Sequence, residues 1–305
     1  MALIVTGSIG IDTVSTPSSE RREGIMGGSC AYFAAAASFY CPVRIVAVAG
    51  DDLPPAFTET FKRFGIDTRG LEIRKGEKTF RWGGKYLGNM DRRETLFTEL
   101  NVLGGKPAAI PPSYRDSRFV FLANAPPAVQ RAMLESFPER KLAVADTMDL
   151  WISTAKDDLL ALLKEVDGLV LNYDEAEQLT GKTNAVAAAK RILCLGPRFV
   201  VVKKGEHGCI LVHRDGIAAL PAYPAETVID PTGAGDTFAG GMMGYLAGND
   251  LEDPAAFPNV LKALAHGTVM ASFTIEAFSL ERLERLTKDE LAARFSEFAA
   301  MLRLA

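Results

Sequence analysis

The chain has 305 residues, 48% of them apolar and 24% charged, enough for a large buried core and unlike the composition of a disordered chain. Its 34 basic and 38 acidic side chains leave a net charge of −4, so no global positive field draws it to nucleic acid or to a membrane surface. Four scattered cysteines (Cys30, Cys41, Cys194 and Cys209) and three histidines (His207, His213 and His266) show no CxxC pair, disulfide framework, HExxH or paired Cys/His spacing, which leaves a zinc site without support and points to a reducing compartment.

The opening MALIVTGSIGID carries no positive segment and its apolar run stops at Gly7, too short for a signal peptide or a membrane span, so the expected location is the cytoplasm. Leu3 to Val5 and Val43 to Val48 read as buried strands, and the Ala-rich stretch Ser29 to Phe39 between them as a close-packed crossover helix. Lys78 to Leu103 breaks this rhythm. It alternates with period two on both sides of the polar turn Gly88 to Arg93, the pattern of a protruding hairpin. The Pro-rich piece around Pro107, Pro111 and Pro112 reads as the return to the main sheet. Strands are then expected at 118–122, 142–145, 168–171 and 199–203, with helices near 127–136, 157–164, 174–180 and 184–194 between them. Helices near 236–247, 255–271 and 287–303 close the chain, the last behind a Thr287/Glu290 capping box. Strands alternating with helices predict an α/β fold with a mostly parallel sheet. No linker separates two domains.

The most informative string is DPTGAGDTFAGG, residues 230–241. Gly233, Ala234 and Gly235 lead straight into a helix, so backbone N–H groups and the positive end of the helix dipole can converge on phosphate oxygens. Asp236 falls at the mouth of that cradle, where a carboxylate can take a proton from a substrate hydroxyl while the amides hold the phosphoryl group under attack. An Asp here can equally be a plain helix cap. GKT at 181–183 imitates the end of a Walker A loop, but position 176 is Ala where its first glycine should stand. GSIG at 7–10 and GAGDTF at 233–238 both fall short of GxGxxG, which disfavours a dinucleotide oxidoreductase.

DPTGAGD resembles the C-terminal signature D-T-x-G-A-G-D of the ribokinase-like (PfkB) carbohydrate kinases. GGSCAYFAAAA (27–37), NYDE (172–175) and VVKKGEHG (201–208) resemble, in the family's order, its Gly-Gly helix opening, its N-x-x-E motif and its nucleotide-side strand and G-x-x-G turn. The resemblance implies a ribokinase-like three-layer α/β/α body with a small β-hairpin lid. It implies one domain over 1–305, with the lid formed by about 11–26 and 78–103. It further implies that Asp236 is the catalytic base, that Gly233, Ala234 and Gly235 form an anion hole, and that ATP and Mg²⁺ are the cofactors. Asn172 and Glu175 would hold Mg²⁺ through its waters, and Asp230 is compatible with a monovalent cation such as K⁺. Lys203, Gly205 and Gly208 would line the nucleotide, and His266 would lie near adenine. Asp12, Gly27, Gly28 and Tyr32 would meet the acceptor, Tyr32 standing where many sugar kinases of the family place an asparagine.

Each role has a structural counterpart. NYDE has the pattern of a helix cap, Lys203 can be a solvated lysine, His266 a packed helical residue and Asp12 a turn carboxylate. Phe80, Trp82 and Tyr86 suit either base stacking or the buried face of the hairpin. Arg81, Arg92 and Arg93 suit either an acidic acceptor or solvent. The expected activity is transfer of the γ-phosphate of ATP to a hydroxyl of a sugar, with a nucleoside kinase as the alternative and a silent sugar or nucleotide sensor as the competitor from another class. No nucleic-acid or membrane partner is expected, and an apolar hairpin face would suit a homodimer through the lid.

Overall fold

The computed structural model describes residues 2–18, 20–88, 90 and 92–303. The chain begins with β1 (Leu3–Thr6), β2 (Gly10–Ser15), β3 (Arg21–Gly27), α1 (Ser29–Ala37), β4 (Val43–Gly50), α2 (Pro55–Arg63) and β5 (Asp67–Arg74). β6 (Phe80–Leu87), β7 (Arg92–Glu99), β8 (Phe119–Leu122), α3 (Pro127–Leu134), β9 (Leu142–Asp146), α4 (Asp149–Thr154) and α5 (Lys156–Leu162) follow. Next come β10 (Gly168–Asn172), α6 (Tyr173–Thr180), α7 (Ala185–Leu193), β11 (Phe199–Lys203), β12 (Cys209–His213) and β13 (Gly216–Leu220). The chain closes with α8 (Ala234–Gly248), α9 (Phe257–Thr274), α10 (Glu281–Arg285) and α11 (Lys288–Met301).

Strands such as LIVT, FVFL and FVVVK have no polar face to offer water, so both sides must be covered. They stack into a nine-stranded sheet of order β13-β12-β11-β10-β9-β8-β1-β4-β5, parallel from β11 to β5, with β12 and β13 antiparallel at one edge. The alternation along β1 displays the layers. Leu3 and Val5 enter an apolar cluster with residues of α1, α8 and α9, whereas Ile4 enters a second cluster with residues of α3, α5 and α7. This is the three-layer α/β/α body that the motif resemblance implies.

α1 and α8 approach closely because both present small residues. A Cβ on Gly240 would lie 2.4 Å from the Phe33 carbonyl oxygen, and one on Gly244 would lie 3.0 Å from Ala37 Cα. The close approach sets the N-termini of the two helices side by side. Thr287 and Glu290 form the capping box that the spacing predicts, ahead of α11.

The expected hairpin is half of a larger unit. β6 and β7 pair antiparallel, but β6 also pairs in parallel with β2, and β2 pairs with β3, giving a four-stranded sheet of order β3-β2-β6-β7. Positions 89 and 91 of the expected turn lie outside the described residues. RREGIMG in β3 carries an exposed polar half with no alternation to announce it, and its partner lies across a loop. Among the described residues, no helix is long and apolar enough to cross a membrane.

Candidate active site

Strand order reverses at β1. The chain runs outward through β4 to β5 and then restarts on the other side at β8, so the loops leaving β1 and β8 diverge. Open α/β sheets bind ligands in the crevice that such a reversal opens at the strands' carboxyl ends. Gly7 stands there. A Cβ on it would lie 2.8 Å from both Ala123 Cβ and Ser29 Oγ. Ser8 and Ser29 exchange backbone-to-hydroxyl hydrogen bonds of 3.3 and 3.1 Å, fixing the start of α1 against the end of β1.

The cap of α8 is Gly233, held in the left-handed region at φ 75°, with no side chain bonded to the helix end. Asp236 is therefore the third helical residue and not the N-cap. The Ala234 N–H is spent on the Pro231 carbonyl at 3.2 Å. Among the described residues, no backbone carbonyl outside the helix takes up the Gly235 or Asp236 N–H, which leaves these two amides at the helix start without a backbone acceptor. Lys203, at the end of β11, completes the cradle: its Nζ would lie 2.7 Å from a Cβ on Gly235. Burial raises the pKa of Asp236, and the Lys203 and Arg93 charges oppose the rise.

On the β1 side, Asp12 projects from β2 at a bulge and lies against Gly27, where a Cβ would fall 2.0 Å from its Oδ2. A larger residue at 27 would displace the Asp12 carboxyl. Asp12 is 3% exposed and its Oδ1 has no hydrogen-bond partner. Burial pushes its pKa up to about 8, the negative charges of Asp230 and Asp236 add to the rise, and Arg93 opposes it. Gly28, at φ 94°, carries its backbone against the Ser8 carbonyl, 2.4 Å from where a Cβ would stand. The Tyr32 ring covers Gly233 so closely that a Cβ on that glycine would fall 2.4 Å from the ring carbons. The Tyr32 hydroxyl is buried without a partner, and burial, with Asp230 and Asp12 behind it, holds its proton on. Asp230 is fully buried; its Oδ1 accepts from the Thr232 N–H at 2.9 Å and its Oδ2 has no partner.

On the β10–β11 side, Asn172 and Glu175 form a complete capping box, each accepting from the other's backbone N–H at 2.8 Å. The cap is real. The Glu175 carboxyl is nevertheless pushed up to about 7 by burial, against the pull of Lys203. One strand nearer the crevice stands a carboxylate that the motifs do not mark, Asp146, the last residue of β9. It is 7% exposed with Oδ1 unpartnered. Its pKa is driven well up by burial and by the neighbouring Asp236, with Lys203 opposing and Glu175 adding. The signal was present as a buried strand, LAVAD, ending in a carboxylate at the same sheet end as NYDE.

Other candidates fall outside this cluster. Gly205 and Gly208 shape the turn after Lys203 with φ of 56° and 76°, and a Cβ on Gly208 would fall 2.0 Å from the Leu220 carbonyl oxygen. His266 is sandwiched between Tyr245 and Phe295, centroids 4.2 and 4.0 Å away, so both ring faces are spent on packing. Burial lowers its pKa to about 4, keeping it neutral. Trp82 packs beside Val14, Tyr86 and Phe278 with the Arg93 guanidinium 5.1 Å over its ring. Both Trp82 and His266 make packing contacts with neighbouring side chains. Arg81 bridges the sheet to the body through Asp52 at 2.9 Å. The sequence also gave no sign of Asn124, at the end of β8, whose Oδ1 accepts from Trp151 Nε1 at 2.8 Å. No three His, Cys, Asp or Glu side chains among the described residues gather into a metal-ligand group.

A profile described as pfkB family carbohydrate kinase matches residues 112–276. A cytidine kinase of Thermococcus kodakarensis is 30% identical over 260 residues, covering 82% of this chain and 91% of that protein. The fold is shared with the nucleoside kinase of Methanocaldococcus jannaschii, a member of the ribokinase family (TM-score 0.75, 19% identity, 97% of this chain and 98% of that one). It is shared also with ribokinase of Giardia lamblia (TM-score 0.78, 17% identity, 97% and 99%).

Proposed function

The chain belongs to the pfkB family of carbohydrate kinases, and from that premise we propose that Asp236 is the base of an ATP-dependent phosphoryl transfer to a hydroxyl of a sugar. The hydroxyl oxygen bonds to the γ-phosphorus, the bond from that phosphorus to the β,γ-bridging oxygen breaks, the hydroxyl proton passes to Asp236, and ADP leaves. The Gly235 and Asp236 amides and the Lys203 ammonium meet the charge on the transferring group. The single observation that carries the reading is the approach of Lys203 Nζ to Gly235, the residue before Asp236, at the uncapped start of α8. Asp12, with Oδ1 unpartnered in a nearly dry site, would orient the acceptor by accepting from its hydroxyls, beside Gly27, Gly28 and Tyr32. The β3-β2-β6-β7 sheet would act as a lid within one domain.

The donor set suits Mg²⁺. Asp146 Oδ1 and the Glu175 carboxyl supply few, hard oxygen ligands, consistent with an ion that keeps several waters. Bound there, Mg²⁺ would neutralise charge on the β- and γ-phosphates. The free Oδ2 of Asp230 fits a monovalent cation such as K⁺. Gly205 and Gly208 would border the nucleotide, with His266 near adenine by its ring edge only. The wholly exposed β7, with Leu96 and Phe97 at 50% and 36% exposure, suits a homodimer through the lid. The unpaired cysteines suit the cytoplasm.

Likeness to the cytidine kinase over nearly its whole length favours a second reading, in which the acceptor sugar is the ribose of a nucleoside. Incubation with MgATP and a panel of pentoses, hexoses, polyols and nucleosides, read as ADP release, tests both. ADP formation with one member is expected and names the class. Tight nucleotide binding with no turnover on any member would favour a silent sensor instead.

A further inference from the structure

We propose that Tyr86 is a positioning residue that ties the lid to the loop before the anion hole, so that closure over the acceptor and grip on the donor's phosphates reinforce each other. The inference rests on the kinase reading above. Tyr86 sits on β6, 5% exposed, and its hydroxyl shares a 3.0 Å hydrogen bond with Thr232 Oγ1 in a buried contact that joins positions 146 residues apart. Thr232 is also held from below, its N–H donating to Asp230 Oδ1 at 2.9 Å. The next residue is Gly233, the cap of α8. A shift of Thr232 is therefore passed by one peptide unit to the amides that would hold the phosphoryl group, where displacements of an ångström matter to transfer.

The surroundings make Tyr86 a point of transmission and not just another buried aromatic. Its ring packs with Val14 from β2 and Phe278 from the loop after α9, beside Ile229. Ile229 N–H donates to the Ile275 carbonyl at 2.7 Å, and the Ser279 hydroxyl donates to the Met26 carbonyl at 2.6 Å. The lid thus rests on both loops that frame Asp230. In the sheet register Tyr86 faces Arg93, the cation stacked over Trp82 whose charge is felt by Asp12, Glu175 and Asp236. Moving Tyr86 moves that positive charge relative to the carboxylates of both half-sites. A contact made only when lid and loop are both in place couples them, and such coupling is reciprocal: whatever orders the loop favours the docked lid, and the reverse. One neutral hydrogen bond supports a coupling factor of roughly two- to tenfold.

The chain has two tryptophans, Trp82 in the lid and Trp151 in the body, so Trp151→Phe leaves Trp82 as the sole emitter and reporter of lid docking. We expect the Mg²⁺ complex of a non-hydrolysable ATP analogue to change Trp82 emission saturably in this parent. Tyr86→Phe, which keeps the packed ring, should retain the thermal midpoint within a few degrees, bind the analogue roughly two- to tenfold more weakly and lose most of the Trp82 response. Thr232→Val should do the same, and the double variant should be no worse than either single one. An unchanged response and affinity in Tyr86→Phe, or additive losses in the double variant, would overturn the latch while leaving the kinase reading intact. Failure of the parent to bind the analogue would overturn both.

Discussion

The crevice between the two sheets and the outermost strand of the smaller sheet place their polar groups in opposite ways. Around the crevice, Asp146 at the end of β9, Asp230 in the loop before α8 and Asp12 on β2 of the smaller sheet are buried, each with a carboxylate oxygen that no group of the protein satisfies, an arrangement that costs stability. In the lid, β7 is exposed along its full length, and its charges face solvent. The lid is held to the body by a few contacts, among them Arg81 to Asp52, Tyr86 to Thr232 and the packing of Val14 and Phe278. The comparison teaches where stability has been spent on chemistry. The crevice bears the electrostatic cost of its buried carboxylates, and the exposed outer strand β7 bears none.

That contrast orders the effects of substitution. Second only to loss of the Asp236 carboxylate should be Gly233→Ala, which drives a Cβ into the Tyr32 ring at a left-handed φ. Displacing the hole should lower kcat by about 10²- to 10³-fold, and steady-state rates check it.

Asp12→Asn should stabilise the ligand-free protein. The folded pKa of Asp12 is raised to about 8 from the ordinary carboxylate value of 3.8, so between those values the unfolded chain has released a proton that the fold still holds. The Asp12 contribution is therefore most favourable below pH 4 and is lost as pH rises toward 8. Even half that shift corresponds to about 3 kcal/mol. The thermal midpoint of the variant should exceed that of the parent by a margin that grows from pH 5 to pH 8. A margin independent of pH would mean that Asp12 is already ionised in the fold.

Asp146→Asn should weaken Mg²⁺ dependence by about 10-fold or more with little change in acceptor KM, read from rates across a magnesium titration. At the other end of the scale, Phe97→Ser on the outer lid strand should change monomer stability by less than about 0.5 kcal/mol. A larger loss that grows on dilution would show that a second chain covers that face.

The same contrast explains what the sequence disclosed. The uncapped start of α8 at Gly233, Gly235 and Asp236 was legible because a helix end left open needs backbone with little side chain around it, and that demand leaves a string few other structures produce. The parallel body was legible because its strands are buried on both faces. Asp146 was not, since a lone carboxylate at a strand end acquires meaning only from neighbours on β10, β11 and α8, which are distant in the chain. The residues alone showed the hairpin because β6 and β7 are local partners, whereas the parallel pairing of β6 with β2 joins segments about 70 residues apart, and only the family resemblance set 11–26 beside 78–103. The packing of His266 was not legible for a related reason: its partners, Tyr245 and Phe295, come from two other helices.

Asp236→Asn tests the account most directly. It keeps the size of the side chain and the start of α8 while removing the proton acceptor, so nucleotide affinity should hold within a few-fold. Turnover on the acceptor identified by ADP release should fall by about 10²- to 10⁴-fold. A variant that binds MgATP and turns over at the parental rate would contradict the assignment of Asp236 as the base.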